Sequence, residues 1–295
     1  MSSTSISGNI IIEDEMPSNG TGKLSTALDL TPQEKAPIVQ ALSDSMVLAW
    51  RSLLRVPRQL DWLIGVSIMP LMFLLMFRYI FAGTVQMTLP QGVSAVNYLV
   101  VGILLQGIVF SGMNTSLGLA TDAKEGLMDR FRSLPMQHIS VVLGRILADM
   151  AIAIFTTTTT ILVALLVGFR PTANVGEWLA AAGIMLLTAF VFCWIGAAIG
   201  LALRTVEAVN SIGFSLIMPL TFISSAFVSP DFMPGPLKAF AANQPFSLSV
   251  SATRGLLNGY PEAGNDALLT VVWWVGALVV LIPLTYWLFQ KRAEG

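Results

Sequence analysis

Cysteine and histidine are almost missing from this chain, with one of each in 295 residues, Cys193 and His138. A single cysteine excludes an internal disulfide, and it falls in an apolar run, where it reads as a small packing residue. The chain contains no HExxH, no Cys/His cluster of metal-binding spacing and no GxSxG elbow. A catalytic histidine needs a nucleophile or substrate within reach and a group to orient it; nothing around His138 in the sequence offers either, so it reads as structural. Charge is scarce as well. Asp, Glu, Lys and Arg make up 11% of the residues, against about 25% in a soluble globular protein. The net charge of −1 gives no electrostatic reason to bind nucleic acid.

Apolar residues are abundant, at 55%, and they are bunched. Six runs stand out, at 62–81, 98–119, 146–168, 179–201, 212–228 and 268–289. Most approach the roughly 20 residues that a helix needs to cross the hydrocarbon core. Water cannot solvate six such runs, whereas a bilayer accepts them because each helix satisfies its own backbone hydrogen bonds. The expected fold is an all-α membrane protein with six transmembrane helices. Pro70, Pro219 and Pro283 fall inside the first, fifth and sixth runs, where membrane helices tolerate kinks.

The remaining segments divide the chain. Residues 1–38 are polar, rich in Ser, Thr, Asn, Gly and Pro, and read as a disordered cytoplasmic tail; no cleavable signal peptide is expected there. Gly20 to Ser25 glances at a phosphate-binding loop but fails it, with Pro17 in place of the first glycine and Leu24 in place of Ser or Thr. Residues 39–58 read as an amphipathic helix, with Val39, Leu42, Met46, Trp50 and Leu53 on one face and Arg51, Arg55 and Arg58 on another. Such a helix before a first span suits the membrane interface, its arginines reaching the headgroups. Residues 59–292 form the transmembrane domain.

Basic residues orient the spans. Of sixteen Lys and Arg, twelve fall on one side of the six runs, and only Arg78, Arg170, Lys238 and Arg254 fall on the other. An even number of crossings then puts both termini in the cytoplasm of a plasma or inner-membrane protein. Within the spans, ionisable residues are few. Asp149 follows Arg145 by four residues, on the same helical face, and reads as one half of an ion pair at the cytoplasmic end. A proton relay needs a chain of such groups at depth, which the sequence lacks. Threonines 156–160 suit helix packing, with the wall of a substrate path as the alternative.

The loop between the second and third runs carries most of the remaining charge. It reads Asp122-Ala-Lys124-Glu125-Gly126-Leu-Met-Asp-Arg130-Phe131-Arg132-Ser-Leu134-Pro135. Leu127, Phe131 and Leu134 share a helical face, and a bare connector would be shorter. A short amphipathic helix, ended by Pro135 and offering side chains to a cytosolic partner, is expected here. The acidic-Lys-Glu-Gly start, the Arg-x-Arg core and the Leu-Pro end resemble the type-2 permeases of ABC transporters, in the drug-export branch of the daunorubicin-resistance permeases. A second likeness lies between the fifth and sixth runs, in Asn243-Gln244-Pro245-Phe246-Ser247 followed by Arg254-Gly255, with Ser229-Pro230 and Phe232-Met233-Pro234 leading in. Together the motifs cover about residues 45–292 of the sequence.

The resemblance implies a permease that forms a pathway and does not hydrolyse ATP. Lys124, Glu125, Gly126, Arg130, Phe131, Arg132, Leu134 and Pro135 would form a coupling helix that docks on a separate ATP-binding subunit, present in two copies. Trp50, Arg51, Arg55 and Arg58 would belong to the interface helix. Phe232, Phe240, Asn243, Gln244, Pro245 and Arg254 would belong to an outer re-entrant segment that gates the exit. The chain itself would bind no cofactor, with ATP and Mg on the partner. A second permease subunit (an identical copy or a paralogue), membrane lipids and an amphiphilic substrate complete the expected partners. An ion-driven secondary transporter is the main alternative and predicts paired interrupted helices. A membrane-embedded lipid enzyme is the third reading and requires a nucleophile with a base, or a metal.

Overall fold

A computed structural model describes residues 60–89, 92–125, 138–203, 205–259 and 263–294. The interface helix and residues 126–137 lie outside that set. The described residues are almost all helical, with no strand among them. Helix α1 (Leu60–Met76) runs through a π-helical turn (Phe77–Phe81) into α2 (Ala82–Thr88). There follow α3 (Ala95–Lys124), α4 (His138–Leu166), α5 (Val175–Ala202) and α6 (Val206–Phe222). After a 3₁₀ turn (Pro230–Phe232) come α7 (Gly235–Asn243), α8 (Pro245–Asn258) and α9 (Ala263–Glu294).

Five stretches among the described residues are long and apolar enough to cross a membrane: Leu63–Thr88, Ala95–Lys124, Ser140–Leu166, Val175–Ala202 and Asn265–Arg292. Each overlaps one of the expected runs to within two residues at its inner limits and extends past it at one end or both. Hydropathy marks only the oily middle of a helix, while the hydrogen-bond ladder continues until something caps it. Thus α5 starts at a capping box, with Asn174 Oδ1 accepting from the Glu177 amide at 3.0 Å and Glu177 Oε2 from the Asn174 amide at 2.7 Å. Likewise α4 ends at Gly168, whose φ of +110° lets the Phe169 amide reach back to the Ala164 carbonyl at 2.9 Å.

The expected fifth run, 212–228, differs most. The helix there spans 17 residues, Val206–Phe222, shorter than the other five. It begins early because Thr205 caps it, accepting from the Ala208 amide. It ends early because the chain turns at Ile223, just past Pro219, and residues 224–227 fold inward and are buried.

Helices α3 and α5 form the centre: 78% and 72% of their apolar stretches are buried, against 11% for α9 and 17% for the stretch containing α1. Glycines set the closeness of this central pair. A β-carbon on Gly196 would meet the backbone oxygen of Gly112, and one on Gly200 that of Ser116, so the two backbones approach as small-residue membrane interfaces do. Helix α8 is buried as well, packed on α5, α9 and α3. The outward faces of α1, α4 and α9 are apolar and exposed (Ile64, Met72, Phe155, Leu162, Val272, Val279), which suits contact with lipid.

Candidate functional site

Two polar clusters stand out in this apolar bundle, one toward each end. The first flanks the loop expected to couple to a partner. Lys124 is the last residue of α3 and Glu125 caps it, its amide donating to the Thr121 carbonyl at 2.9 Å; both side chains are exposed. Gly126, Arg130, Phe131, Arg132, Leu134 and Pro135 lie outside the described residues, as do Trp50, Arg51, Arg55 and Arg58.

About two turns into α4 sits Arg145. Its Nε donates to Asp149 Oδ2 at 2.9 Å, and its Nη1 lies 3.9 Å from Asp122 Oδ2 at the end of α3. Asp149 Oδ2 also accepts from the Thr115 hydroxyl at 2.8 Å, and Arg145 Nη2 reaches the Asn114 carbonyl at 3.5 Å. The i,i+4 ion pair anticipated within α4 is present, and it does more than decorate one helix. Asp149 is only 2% exposed and shares its oxygen between α4 and α3, so the pair ties together the two helices that the loop connects. Space for the guanidinium comes from Gly118, where a β-carbon would strike Arg145. The sequence hides this tie because Asp122, Thr115 and Gly118 become neighbours of Arg145 only when α3 and α4 pack. Cys193 is buried with its Sγ 3.7 Å from Ser111 Oγ, as a packing residue should be.

The second cluster surrounds Arg254 of α8. Only 6% exposed, its Nη2 faces the carbonyls of Tyr98 (3.2 Å), Ser225 (3.0 Å) and Ala226 (3.2 Å). Its guanidinium carbon lies 3.5 Å from the centre of the Tyr98 ring, in a cation–π stack. The Tyr98 hydroxyl donates to the Ser225 carbonyl at 3.0 Å. Just before α8, Gln244 Nε2 reaches the carbonyls of Leu220 (3.2 Å) and Ile223 (2.5 Å) and the Ser247 hydroxyl (3.2 Å). Ser225 and Ser247 join as well, amide to hydroxyl at 3.1 Å and hydroxyl to carbonyl at 3.2 Å.

The logic is that of a helix end in a medium without water. The last carbonyls of α6 have no partner in their own helix, and an unmet carbonyl in hydrocarbon costs several kcal/mol. Gln244 supplies donors to that end and Arg254 to the turn after it, where Ser247 accepts from the Ser225 amide. Gly102 admits the turn, since a β-carbon there would meet the Ala226 oxygen. Thus the Asn-Gln-Pro-Phe-Ser…Arg-Gly pattern gathers Gln244, Ser247 and Arg254 around one broken helix, and Phe246 is fully buried against Phe192. Pro245 starts α8. The pattern does not gather Phe232, Phe240 and Asn243, which lie on the exposed side: Phe232 is 61% and Phe240 52% exposed, and Asn243 donates only to the Ala239 carbonyl. Beside them Lys238 bonds Asp231 at 2.8 Å, which together with its charge holds the Asp231 carboxyl below the usual value of 3.8. Tyr98 and Ser225 escape sequence reading because their partners lie far along the chain.

Arg78 donates from Nε to the Val167 carbonyl at 3.1 Å, just past the end of α4. Of the threonine run, Thr156, Thr159 and Thr160 bond back to their own helix, the packing role. Thr157 and Thr158 instead line a 280 Å³ cavity with Trp178 and Leu186. Among the described residues no group of three or more His, Cys, Asp or Glu is placed to hold a metal.

Residues 44–258 match the family described as ABC-2 type transporter. Over 272 residues the chain is 29% identical to the daunorubicin resistance ABC transporter permease protein DrrB1 of Streptomyces coeruleorubidus, covering 92% of this chain and 94% of that one. It is 25% identical over 238 residues to a probable doxorubicin resistance ABC transporter permease protein, DrrC, of Mycobacterium tuberculosis, covering 79% and 84%. Identity to the putative transport permease ycf38 of Pyropia yezoensis is 23% over 270 residues, covering 88% and 92%.

Proposed function

The chain belongs to the ABC-2 type transporter family, and from that premise we propose that it is the permease of an exporter carrying amphiphilic compounds out of the cytoplasm. Drugs, lipids and lipid-like metabolites are the candidate cargo; two relatives are named for resistance to daunorubicin and doxorubicin. The energy comes from ATP and Mg on a separate ATP-binding subunit, two copies of which serve two permeases, identical or paralogous. This chain performs no hydrolysis itself. It crosses the plasma or inner membrane six times with α6 as the short crossing, both termini in the cytoplasm, residues 39–58 in the interface, and the segment from Ser229 to Asn258 dipping back from the outer side.

The observation that best supports this reading is the tie between α3 and α4. A force applied to the loop at residues 126–137 enters two helices at once, because Asp122, Arg145, Asp149 and Thr115 hold them together. Arginines suit the docking side of such a loop, since the planar guanidinium makes multi-point contacts with carboxylates. At the other end, Gln244 bonds the terminus of α6 and Arg254 the turn after it, which links that end to α8.

The test is co-purification with the ATP-binding subunit, then ATP-driven uptake of a fluorescent amphiphile into inverted vesicles. Uptake should vanish when that subunit's hydrolysis is abolished. Uptake that survives this loss and stops with an uncoupler overturns the proposal in favour of an ion-driven carrier. Arg130→Ala with Arg132→Ala should insert normally, yet lose both uptake and substrate-stimulated ATP hydrolysis. Unchanged uptake by that variant removes the docking role from the loop.

A further inference from the structure

The last turns of α9 are bound more closely than the rest of that helix. Only 11% of the α9 apolar stretch is buried, yet Phe289 is 2% exposed and shares a buried cluster with Leu119 of α3, Ile146 of α4 and Leu201 of α5. Nearly one turn on, Arg292 Nη1 lies 2.7 Å from the Gly200 carbonyl, 3.1 Å from that of Leu201 and 2.7 Å from that of Leu203. These carbonyls belong to the last turn of α5 and its capping residue, where a helix has no partners of its own to offer. A cation also suits that end of the helix dipole. The donor comes from a residue 89 to 92 positions further along the chain.

What the guanidinium holds is a junction. Residues 203–205 alone separate α5 from α6. Leu203 is extended, at φ −98° and ψ 142°, and so is Thr205, at φ −123° and ψ 146°. The Leu203 amide bonds back to the Ile199 carbonyl at 3.1 Å, while the Thr205 hydroxyl faces forward, to the Ala208 amide. Extended residues outside a ladder rotate about soft φ and ψ angles, so a turn built from them absorbs a push instead of passing it on. Gly200 is also the point where α5 lies against α3, since a β-carbon there would meet the Ser116 oxygen. Ser116 is about 9 Å of helix rise from Asp122, which pairs with Arg145. A displacement of α3 by its loop therefore reaches Gly200, and there the backbone leads into the turn that Arg292 grips.

We propose that Arg292 is a positioning residue for transport: by clamping the turn between α5 and α6 to the end of α9, it makes α3, α5 and α6 move together when the loop at 126–137 is displaced. The inference rests on the export reading. It gives the last turn of α9 a part in coupling and separates Arg292 from its neighbour. Lys291 is exposed, with its ammonium 5.0 Å from the centre of the Trp287 ring, a pairing that suits the membrane interface. The clamp needs a cation with several donors, which a lysine at 292 supplies in part and a methionine does not.

The test uses the full chain with its ATP-binding subunit in inverted vesicles and takes two readings. One is doxorubicin accumulated per ATP hydrolysed, normalised to assembled protein; the other is amide exchange at Leu203 and residues 206–209. Arg292→Met should lower the transport ratio about tenfold, the scale of one charge-assisted hydrogen bond, and should speed the exchange. Arg292→Lys should recover most of both, and Lys291→Met should change neither. A contact that only adds stability lowers the yield of assembled protein and leaves the ratio per assembled molecule at the parent value; that result overturns the proposal. Exchange that stays slow in Arg292→Met overturns it as well. Should Arg292→Met fail to assemble, Arg292→Gln decides by the same two readings. Failure of the export reading looks different: parent vesicles that accumulate the probe independently of ATP remove the exporter whatever the variants do. ATP-driven accumulation by the parent, with an unchanged ratio in Arg292→Met, removes the positioning role and keeps the exporter.

Discussion

Arg145 and Arg254 each stabilise the bundle, near opposite ends, and they are neutralised differently. Arg145 meets two carboxylates, Asp149 and Asp122, on two uninterrupted helices. Arg254 faces the carbonyl dipoles of Tyr98, Ser225 and Ala226 and the ring of Tyr98. The first is a pair of side chains, so both halves can be replaced together. The second uses the main chain, which no substitution removes. A buried ion pair can often be exchanged for apolar residues without loss, whereas a broken helix end always needs donors.

The sharpest break in that comparison is Arg254→Met. It should destabilise the protein by about 4 kcal/mol, the order expected when several charge-assisted bonds are lost at once, and no second-site apolar change at Tyr98 or Ser225 should restore it. Thermal unfolding in detergent measures this; a rescue by Ser225→Ala would show that the carbonyls do not need the guanidinium. Next in size is Asp149→Leu, expected to cost about 3 kcal/mol because it leaves Arg145 without its closest partner. Adding Arg145→Met should recover most of that loss, to within about 1 kcal/mol. The same double variant should still couple poorly in uptake, since α3 and α4 are then joined only by packing. Full uptake would separate the tie from coupling.

Gly118→Ala should cost less, about 1–2 kcal/mol. Its β-carbon collides with the guanidinium, which is the movable end of a long side chain and shifts more readily than backbone. Gly196→Ala makes the contrast, because there the obstacle is the Gly112 backbone, and it should exceed Gly118→Ala in the same assay. The smallest effect belongs to the exposed Asp231–Lys238 pair. Its carboxyl is held below 3.8 by the Lys238 hydrogen bond and charge, so the tie is complete above that value and is lost as pH falls through the lowered one. Amide exchange at residues 229–238 should speed up over that acid range, and Asp231→Asn should abolish the pH dependence.

Much of this was legible in the linear order of residues. The apolar runs located five long helices, and the i,i+4 spacing located the Arg145–Asp149 pair, because both signals lie within one helix. The motif around Gln244 and Arg254 marked the right segment but not the role of each member. Exposure separates them: Gln244 and Arg254 turn inward to α6, while Phe232, Phe240 and Asn243 remain outside. The bounds of α6 were misplaced because hydropathy continues through residues 223–228 although the helix does not. Residues 224–227 stay apolar or small because they are buried, and the Ser225 and Ala226 backbone is met by side chains rather than by a ladder.

The sequence by itself determined that the chain belongs in a membrane and that its elements are helices. Each follows from local quantities: hydropathy over a span, periodicity within a turn, the placement of charge. Only the tertiary structure decided that Arg145 joins α3 to α4, that Gln244 and Arg254 meet the end of α6 and the turn after it, and that Arg292 reaches the end of α5. These depend on residues distant in sequence, up to 156 apart for Arg254 and Tyr98. In hydrocarbon their positions are fixed by polar groups that must find one another because water is absent.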